Sequence, residues 1–536
     1  QLKEPVAKGP QTLKKTAQKM TYDNPTPPGD KPNLEEFPNE YCPPRVECAW
    51  YSWWEKQGFF KAKGTGDKKF VMILPPPNVT GELHLGHALT TSIEDSLTRY
   101  HRMCGDDTLW LPGTDHAGIA TQVRVEKMIH LEKGLTRHDI TRDEFLGYAH
   151  AWTKKYGGNI KNQLRVIGSS LDWSRLYFTL DEKRSEAVTE AFVRLFNKGK
   201  IYRAERLVNW DCALQTAISD AEVSYITIPK RTLLAVPNHK YEKYPFGVFT
   251  YFKYQIADEN GQPTSETVLI ATTRLETLLG DEAVAINSKD ERYKHLHGKR
   301  VYHPFIKITI PIILYDELVD IDFGTGVVKV TPAHDPNDFE TGMRHHLKFT
   351  NIFTEDGKIN DLVPEFAGMP RFDARIAIAK RLKELGLFDH EEDHEMRLGI
   401  TERGHDIVEQ VIKKQWFVDT KSMAERAIDA VKNKELIIQP EEFITDWNCW
   451  HQNIRPWCIS RQLWWGHRIP AYQVSLDGKV QEGDNEWVAA HNDEEALQLA
   501  CDKLKVTEKE RVKVVQDEDV LDTWFSSSLL PFTSMG

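Results

Sequence analysis

The spacing of apolar residues divides the chain into segments with different predicted structures. Aromatic residues from Trp50 to Phe60 follow the period of a short amphipathic helix that ends at Gly58, and Phe70–Leu74 is an apolar run typical of a buried strand. Helical periodicity then dominates to about residue 205. In Glu182–Lys198, for example, the apolar residues fall on one side of a helix.

A strand-rich segment lies between about residues 225 and 350. Lys307–Ile310 and Gly326–Val330 alternate polar and apolar positions, and glycines punctuate this region. Helical and short-strand patterns return after about residue 400. The sequence therefore predicts an α/β fold that is interrupted by a strand-rich insertion.

The composition predicts a soluble globular protein. The chain has 536 residues, of which 40% are hydrophobic and 28% charged, so it has room for roughly three to four domains and is neither disordered nor collagen-like. No apolar run approaches the ~18 residues of a membrane span, so we expect no membrane partner. Because the formal net charge is −11, a polyanion would bind only on local basic patches.

The cysteines and the N-terminus bear on the compartment. Seven cysteines, an odd number without the spacing of a disulfide framework, favour a reducing compartment. The N-terminus has neither a secretory apolar region nor an Arg- and Ser-rich bias, which predicts a cytoplasmic protein and leaves a mitochondrial form open. Residues 1–40 are rich in lysine and proline, which predicts a flexible extension.

The first candidate site is the string Pro75–Ala88, which follows the predicted strand and opens a helix. Free backbone amides and the helix dipole make such a helix start suitable for a phosphate group. His84 and His87 are spaced i and i+3, so both imidazoles share one helix face and can donate to one anion. Gly86 between them lets a flat ring approach the backbone. The alternative is that the histidines only cap or pack the helix.

Two further kinds of string carry candidate binding residues. In Gly113–Gln122, Asp115 lies at a strand end and suits capture of an α-ammonium group, with helix capping as the alternative. Tryptophans in Trp457–Pro470 and Asp519–Ser528 could form the walls of a small apolar slot or belong to an ordinary core.

The strand-rich segment holds a second candidate site. Its strings Ala271–Asp281 and Asp322–Glu340 cluster threonines, a lysine and carboxylates at strand ends. Such groups can orient a water molecule and hold an ammonium group. The alternative is a solvated turn rich in threonine and aspartate.

Together these strings resemble class I aminoacyl-tRNA synthetases. His84-Leu-Gly-His87 is similar to their HIGH motif, and Pro-Pro-Pro-Asn-Val-Thr-Gly and Gly-Thr-Asp-His are similar to the valyl members, whereas isoleucyl and leucyl members have Gly-Trp-Asp at the second place. The resemblance implies a Rossmann-like catalytic fold in residues 41–205 and 405–536, interrupted by an editing domain in residues 206–404. An isoleucyl or leucyl enzyme, or a chain that only binds and deacylates tRNA, are the alternatives.

The resemblance implies a two-step reaction in which valine and ATP give valyl-adenylate and valine then moves to tRNA(Val). His84 and His87 would be catalytic, and Mg²⁺ would accompany ATP. The implied ATP-binding residues are Thr80, His84, Gly86 and His87. The implied valine-binding residues are Pro75, Asn78, Asp115, Trp465 and Trp524. Whether Trp464 or Trp465 faces valine stays open, as does the oligomeric state.

The resemblance also implies hydrolysis of mischarged Thr-tRNA(Val) by a positioned water. Asp338 would bind the α-amino group, and Phe323 would form a pocket wall. The other implied editing residues are Thr272, Thr273, Arg274, Lys329, Thr331 and Asp335. A second site is needed because the apolar pocket of valyl enzymes is a known case that rejects threonine only about a hundredfold.

The sequence departs from the family pattern in two places. Many relatives carry a Cys-x-x-Cys zinc ribbon where this chain reads Asn209-Trp-Asp-Cys212-Ala-Leu-Gln, so we predict no structural zinc there. The second ATP-binding signature, Lys-Met-Ser-Lys-Ser, and an anticodon-binding domain do not occur before Gly536. The chain is therefore expected to be the front part of a longer enzyme.

Overall fold

The computed structural model describes residues 26–33, 47–65 and 68–535. These form two compact units, the first made of residues up to Asp115 together with Ala151–Thr179, the second of His116–His150 and the chain from Leu180 onward. Most of the predicted extension at residues 1–40 lies outside the described residues. Helices and sheets occur in both units, which confirms the predicted α/β class.

The first unit is built on short parallel strands. Lys69–Ile73 pairs with Asp107–Leu111, and Gly113–Thr114 pairs with Tyr177–Phe178. Its helices are Trp50–Gln57, Leu85–Met103 and residues 151–167 of the helix Arg142–Ile167. The core of the unit comprises Leu74, Val79, Trp110, Ile160, Leu164 and Leu171.

Two predictions in the first unit have different outcomes. The helix predicted to end at Gly58 is confirmed, because Gly58 adopts φ 69° and its N–H closes the last turn. The strand predicted at Phe70–Leu74 is present as Lys69–Ile73, but the prediction that it is buried is wrong. Among the described strands this one pairs with a single neighbour, and the Val71 side chain stays 46% exposed while Leu74 is buried.

The strand-rich part of the second unit is a seven-stranded sheet with its own hydrophobic core. Its strands, in spatial order, are Pro263–Thr272, Val248–Ala257, Arg300–Tyr302, Thr309–Leu314, Ala283–Ile286 and Val327–Val330, and Phe388–Asp393 pairs with the second of them. The helices of this part are Pro336–His345 and Arg371–Glu384. The predicted strand at Lys307–Ile310 begins later, because Lys307 adopts φ 60° in a tight turn.

A long antiparallel ribbon joins this part to the rest of the second unit. Ile201–Asp211 and Glu409–Val418 pair over ten residues, from Trp210 opposite Glu409 to Ile201 opposite Val418. The sequence predicts helical periodicity as far as about residue 205, whereas the strand begins at Ile201 and the preceding helix is Glu182–Asn197. Trp457–Cys458 and Thr216–Ala217 extend the ribbon to four strands, and a smaller ribbon pairs Val223–Ile228 with Met396–Thr401.

The second unit also contains short strands and helices outside the sheet and the two ribbons. The remaining strands are Thr232–Leu234, Tyr244–Phe246, Ser460–Arg461, Ala471–Leu476, Lys479–Val480, Trp487–Ala489, Val512–Gln516 and Val520–Leu521. The remaining helices are Gly118–Lys133, Lys421–Lys432, Ile444–Gln452, Asp493–Leu504, Thr523–Ser528 and Leu530–Thr533.

Candidate active sites

The two histidines of the first site hold each other at the start of the helix Leu85–Met103. His84 is the N-cap residue, with φ −124° and ψ 175°, and its Nδ1 accepts a hydrogen bond from the N–H of Gly86 at 3.1 Å. The N–H of His84 donates in return to Nδ1 of His87 at 3.2 Å. The two rings lie side by side, although His84 precedes the first turn with an extended backbone instead of occupying a helical position.

This reciprocal cap fixes the tautomer of both imidazole rings. Each Nδ1 accepts a hydrogen bond, so each neutral imidazole carries its hydrogen on Nε2. Burial, with the neighbouring His84 as a second cause, lowers the pKa of His87 below its ordinary value. The ring centroids lie 4.0 Å apart. The pair therefore presents two Nε2–H donors at a helix N-terminus, where backbone amides and the dipole also favour an anion.

Asp115 lies beside the turn that leads to this helix. Its backbone bridges to Asn78, its N–H donates to Pro77 O at 2.9 Å, and its carbonyl accepts from Val79 N at 3.0 Å. Oδ1 of Asp115 accepts from the Thr179 hydroxyl at 2.7 Å. The carboxylate is buried and fixed at a strand end, whereas Ala117 occupies the cap of the next helix. The structure thus brings Asp115 and Asn78 together, and Pro75 and Thr80 belong to the same turn.

The two predicted indoles differ in environment. Trp465 is only 1% exposed, and its Nε1 donates to His116 O at 2.8 Å, while its backbone N–H binds Oε1 of Gln122 at 3.2 Å. Trp464 packs edge-on against Phe145 instead. Trp524 is 56% exposed at the start of its helix.

Lys329 is the centre of the second site. Its ammonium group donates to Thr277 Oγ1 at 2.7 Å, Asp281 Oδ1 at 3.0 Å and Thr331 Oγ1 at 2.6 Å, all in the interior. Thr331 Oγ1 also donates to Asp281 Oδ1 at 2.6 Å, and Tyr254 donates to Oδ2 at 2.8 Å. Three acceptors thus surround the three donors of the ammonium group, so Lys329 orders this end of the sheet.

Asp338 follows directly on this network. Its Oδ2 accepts from the backbone N–H of Thr331 at 2.8 Å. Asp335 is the N-cap of the same helix and accepts from the N–H groups of Asn337 and Asp338. Burial and, secondarily, the nearby Asp335 carboxylate raise the pKa of Asp338 to about 7. Asp338 therefore has a shifted pKa, and groups with shifted pKa values cluster at functional sites.

The other predicted editing residues differ from one another in burial and in contacts. Thr272 is buried, and its hydroxyl accepts from the N–H of Arg274 at 3.1 Å, with Thr273 between them. The Arg274 guanidinium is held by Glu409 and Glu276. Phe323 is 58% exposed and packs against Phe249 and His394.

Sequence reasoning missed four residues of this network: Glu276, Thr277, Asp281 and Glu409. Three of them lie inside the string Ala271–Asp281. There Glu276 follows Leu275 and precedes the apolar pair Leu278 and Leu279, a pattern that could have indicated a buried ion pair. Glu409 lies 135 residues from Arg274 and had no local signal.

The lone cysteine at the expected ribbon position is packed rather than exposed. Cys212 is buried beside Arg371, whose Nη1 lies 3.4 Å from Sγ, and burial raises the pKa of the thiol. In residues 26–33, 47–65 and 68–535, no group of three His, Cys, Asp or Glu side chains could hold a metal ion. Over the same ranges, every helix is too short or too polar to cross a membrane.

Comparison with known proteins agrees with this geometry. The family described as tRNA synthetases class I (I, L, M and V) matches residues 49–536, so the chain belongs to this family and has its class I catalytic fold. Among curated relatives, it is 51% identical over 531 residues to valine--tRNA ligase of Homo sapiens, covering 96% of this chain and 42% of that protein. It is 51% identical to valine--tRNA ligase, mitochondrial 1, of Arabidopsis thaliana, covering 96% of this chain and 46% of that protein.

A valine--tRNA ligase of Trichomonas vaginalis is 61% identical over 423 residues, which covers 79% of this chain and 86% of that protein. The chain thus spans less than half the length of the human and Arabidopsis relatives.

Proposed function

We propose that the chain carries the catalytic chemistry of valine attachment to tRNA(Val), with hydrolytic editing of Thr-tRNA(Val). The observation that carries the proposal is the His84–His87 cap at the helix start, in a chain about half identical to valine--tRNA ligases. A cytoplasmic location is proposed because the seven cysteines, an odd number without the spacing of a disulfide framework, suit a reducing compartment.

In the first step, a carboxylate oxygen of valine attacks the α-phosphorus of ATP and pyrophosphate leaves. Negative charge grows on the phosphate oxygens, and the Nε2–H groups of His84 and His87 donate to them, with Gly86 and Thr80 beside the nucleotide. Mg²⁺ would accompany ATP and neutralise part of the charge on its phosphates. In the second step, a ribose hydroxyl of the 3′-terminal nucleotide of tRNA attacks the acyl carbon of valyl-adenylate, and AMP leaves.

Valine recognition is assigned to the fixed carboxylate and the indoles. Asp115, held by Thr179, receives the α-ammonium group. On the resemblance to the family, Pro75, Asn78, Trp465 and Trp524 are assigned to the valine side chain, and an apolar pocket wall admits threonine as well as valine.

Editing is assigned to the end of the sheet around Lys329. Asp338 in its ionised form binds the α-ammonium group of the threonyl ester, and a water molecule attacks the acyl carbon, which releases threonine and free tRNA. Lys329, Thr331, Arg274 and Asp335 order the site, while Thr272, Thr273 and Phe323 contact the ester. A buried polar site rejects valine, because valine would leave its polar groups without hydrogen bonds.

The test is substrate-dependent ATP–pyrophosphate exchange with valine, isoleucine and leucine, together with hydrolysis of Thr-tRNA(Val). Exchange that depends on valine supports the proposal. Exchange that prefers isoleucine or leucine assigns the chain to those enzymes. Deacylation without any exchange identifies a chain that acts only on charged tRNA.

A further inference from the structure

A buried glutamate of the long ribbon reaches into the second candidate site. Glu409 is the first residue of the strand Glu409–Val418, lies opposite Trp210 and is almost completely buried. Its two carboxylate oxygens accept from Nη2 of Arg274 at 2.6 and 2.7 Å, and Oε2 also accepts from Nη1 of Arg371 at 3.0 Å. Burial alone would raise the pKa of Glu409, but the two guanidiniums lower it below the ordinary value, so the group is a carboxylate.

The ribbon makes a second contact through the next residue. Nδ1 of His334 donates to Gln410 O at 3.0 Å, and Nε2 accepts from Ile352 N at 3.2 Å. Burial lowers the pKa of His334 to about 4, so the ring is neutral and both nitrogens are used. Arg274 connects the two contacts of the ribbon, because its Nη1 donates to His334 O at 3.0 Å.

Arg274 and His334 each lie next to residues assigned to editing. Arg274 follows Thr272 and Thr273, and His334 precedes Asp335 in the segment that begins at Thr331. The two strings are 60 residues apart in sequence, and the Arg274–His334 hydrogen bond joins them directly. Glu409 and Gln410 therefore fix both strings from one point on the ribbon.

We propose that Glu409 is a positioning residue for hydrolysis, which acts through Arg274 and His334 on the geometry of Thr272 and Asp338. The inference rests on the proposed editing function. Arg371 is buried, Arg274 is partly buried, and both are charged, so they need a fixed anion in place, and an amide cannot hold two guanidiniums in the same way. Loss of the Glu409 carboxylate displaces the two strings, although Glu409 itself does not contact the substrate.

The experiment compares Glu409→Gln with Glu355→Gln in the whole chain. Glu355 is an exposed glutamate that pairs with Lys413 of the same ribbon, so it is a matched control. We expect kcat for Thr-tRNA(Val) hydrolysis to fall about 10²-fold in Glu409→Gln with KM little changed, since a small misplacement affects the reacting geometry more than tRNA binding. Glu355→Gln keeps the wild-type kcat. An unchanged kcat in Glu409→Gln, or a rise in KM alone, overturns the proposal.

A second measurement does not depend on activity. Hydrogen–deuterium exchange of residues 272–277 and 331–338, which include the Thr331 amide bound to Asp338, rises in Glu409→Gln but not in Glu355→Gln. If the wild-type chain hydrolyses no Thr-tRNA, the editing proposal fails, and the exchange result still decides whether Glu409 positions these strings. If Glu409→Gln does not fold, Glu409→Asp, which keeps the anion but shortens its reach to Arg274, carries the same test, with an increase expected in the same two segments.

Discussion

The backbone N–H of Thr331 donates to Oδ2 of Asp338 at 2.8 Å, which connects the end of a buried strand to the first turn of the next helix. One carboxylate oxygen of Asp338 therefore already accepts a backbone hydrogen bond within the fold. Because burial and Asp335 together raise the pKa of Asp338 to about 7, the protonation state of this carboxyl changes near neutral pH.

The Asp338→Asn variant should lose hydrolysis and yet gain stability at neutral pH. The folded-state pKa of about 7 lies above the unfolded value of 3.8, so the folded chain binds the proton more tightly. This contribution to stability is complete below the unfolded pKa and is lost as the pH rises through about 7. Thermal unfolding at pH 4 and pH 8 should therefore show a gain in Tm for Asp338→Asn that grows with pH.

The pH dependence of Thr-tRNA(Val) hydrolysis provides the companion measurement. The ionised form of Asp338 binds the ammonium group, so the wild-type rate should rise as pH increases through about 7. Asp335→Asn is a useful second variant, because it removes the neighbouring charge and moves this rise to lower pH. A rise at the same pH in Asp338→Asn would show that another group titrates.

The local parts of both sites could be predicted from the sequence, and the long-range parts could not. The strand, turn and helix around His84 follow from neighbouring residues, as does the helix Glu182–Asn197 with its one-sided apolar pattern. Capping by the histidines is one of the alternatives that the sequence leaves open, but the reciprocal geometry could not be predicted. The period places both residues in the helix, while the hydrogen bonds select an extended His84. The partners of Arg274 lie on distant segments, and no periodicity records such pairings.

Gly86→Ala should weaken ATP binding without unfolding the helix. A Cβ at this position would lie 2.9 Å from Cε1 and 3.1 Å from Nδ1 of His84, so the imidazole must rotate out of the reciprocal cap. Gly147 is the matched control, since a Cβ there meets nothing within 4 Å inside a helix. In ATP–pyrophosphate exchange, KM for ATP should rise in Gly86→Ala and stay unchanged in Gly147→Ala. An equal KM in both variants would contradict a role for the His84 ring.

Lys329→Met should destabilise the chain strongly, because it leaves Asp281 as an uncompensated buried carboxylate. Removal of one partner of a buried ion pair costs about 3–5 kcal/mol. The double variant Lys329→Met/Asp281→Asn removes both charges. The new amide oxygen can still accept from Thr331, and the amide NH2 can donate to the Tyr254 hydroxyl. Denaturant unfolding should show that the double variant recovers most of this loss. Thr-tRNA(Val) hydrolysis should remain impaired, because Thr331 has lost its Lys329 donor. Recovered hydrolysis would limit Lys329 to charge balance.

Trp465→Phe should raise KM for valine and also lower stability, whereas Trp464→Phe should change neither quantity greatly. The Trp465 indole donates to His116 O, and phenylalanine leaves that buried carbonyl without its donor, which costs about 1–3 kcal/mol. Trp464→Phe keeps an aromatic ring against Phe145. Valine-dependent exchange and thermal unfolding of the two variants separate the roles. A loss of stability in Trp465→Phe with an unchanged KM would make Trp465 a core residue only. A raised KM in Trp464→Phe alone would assign the pocket wall to the neighbouring indole.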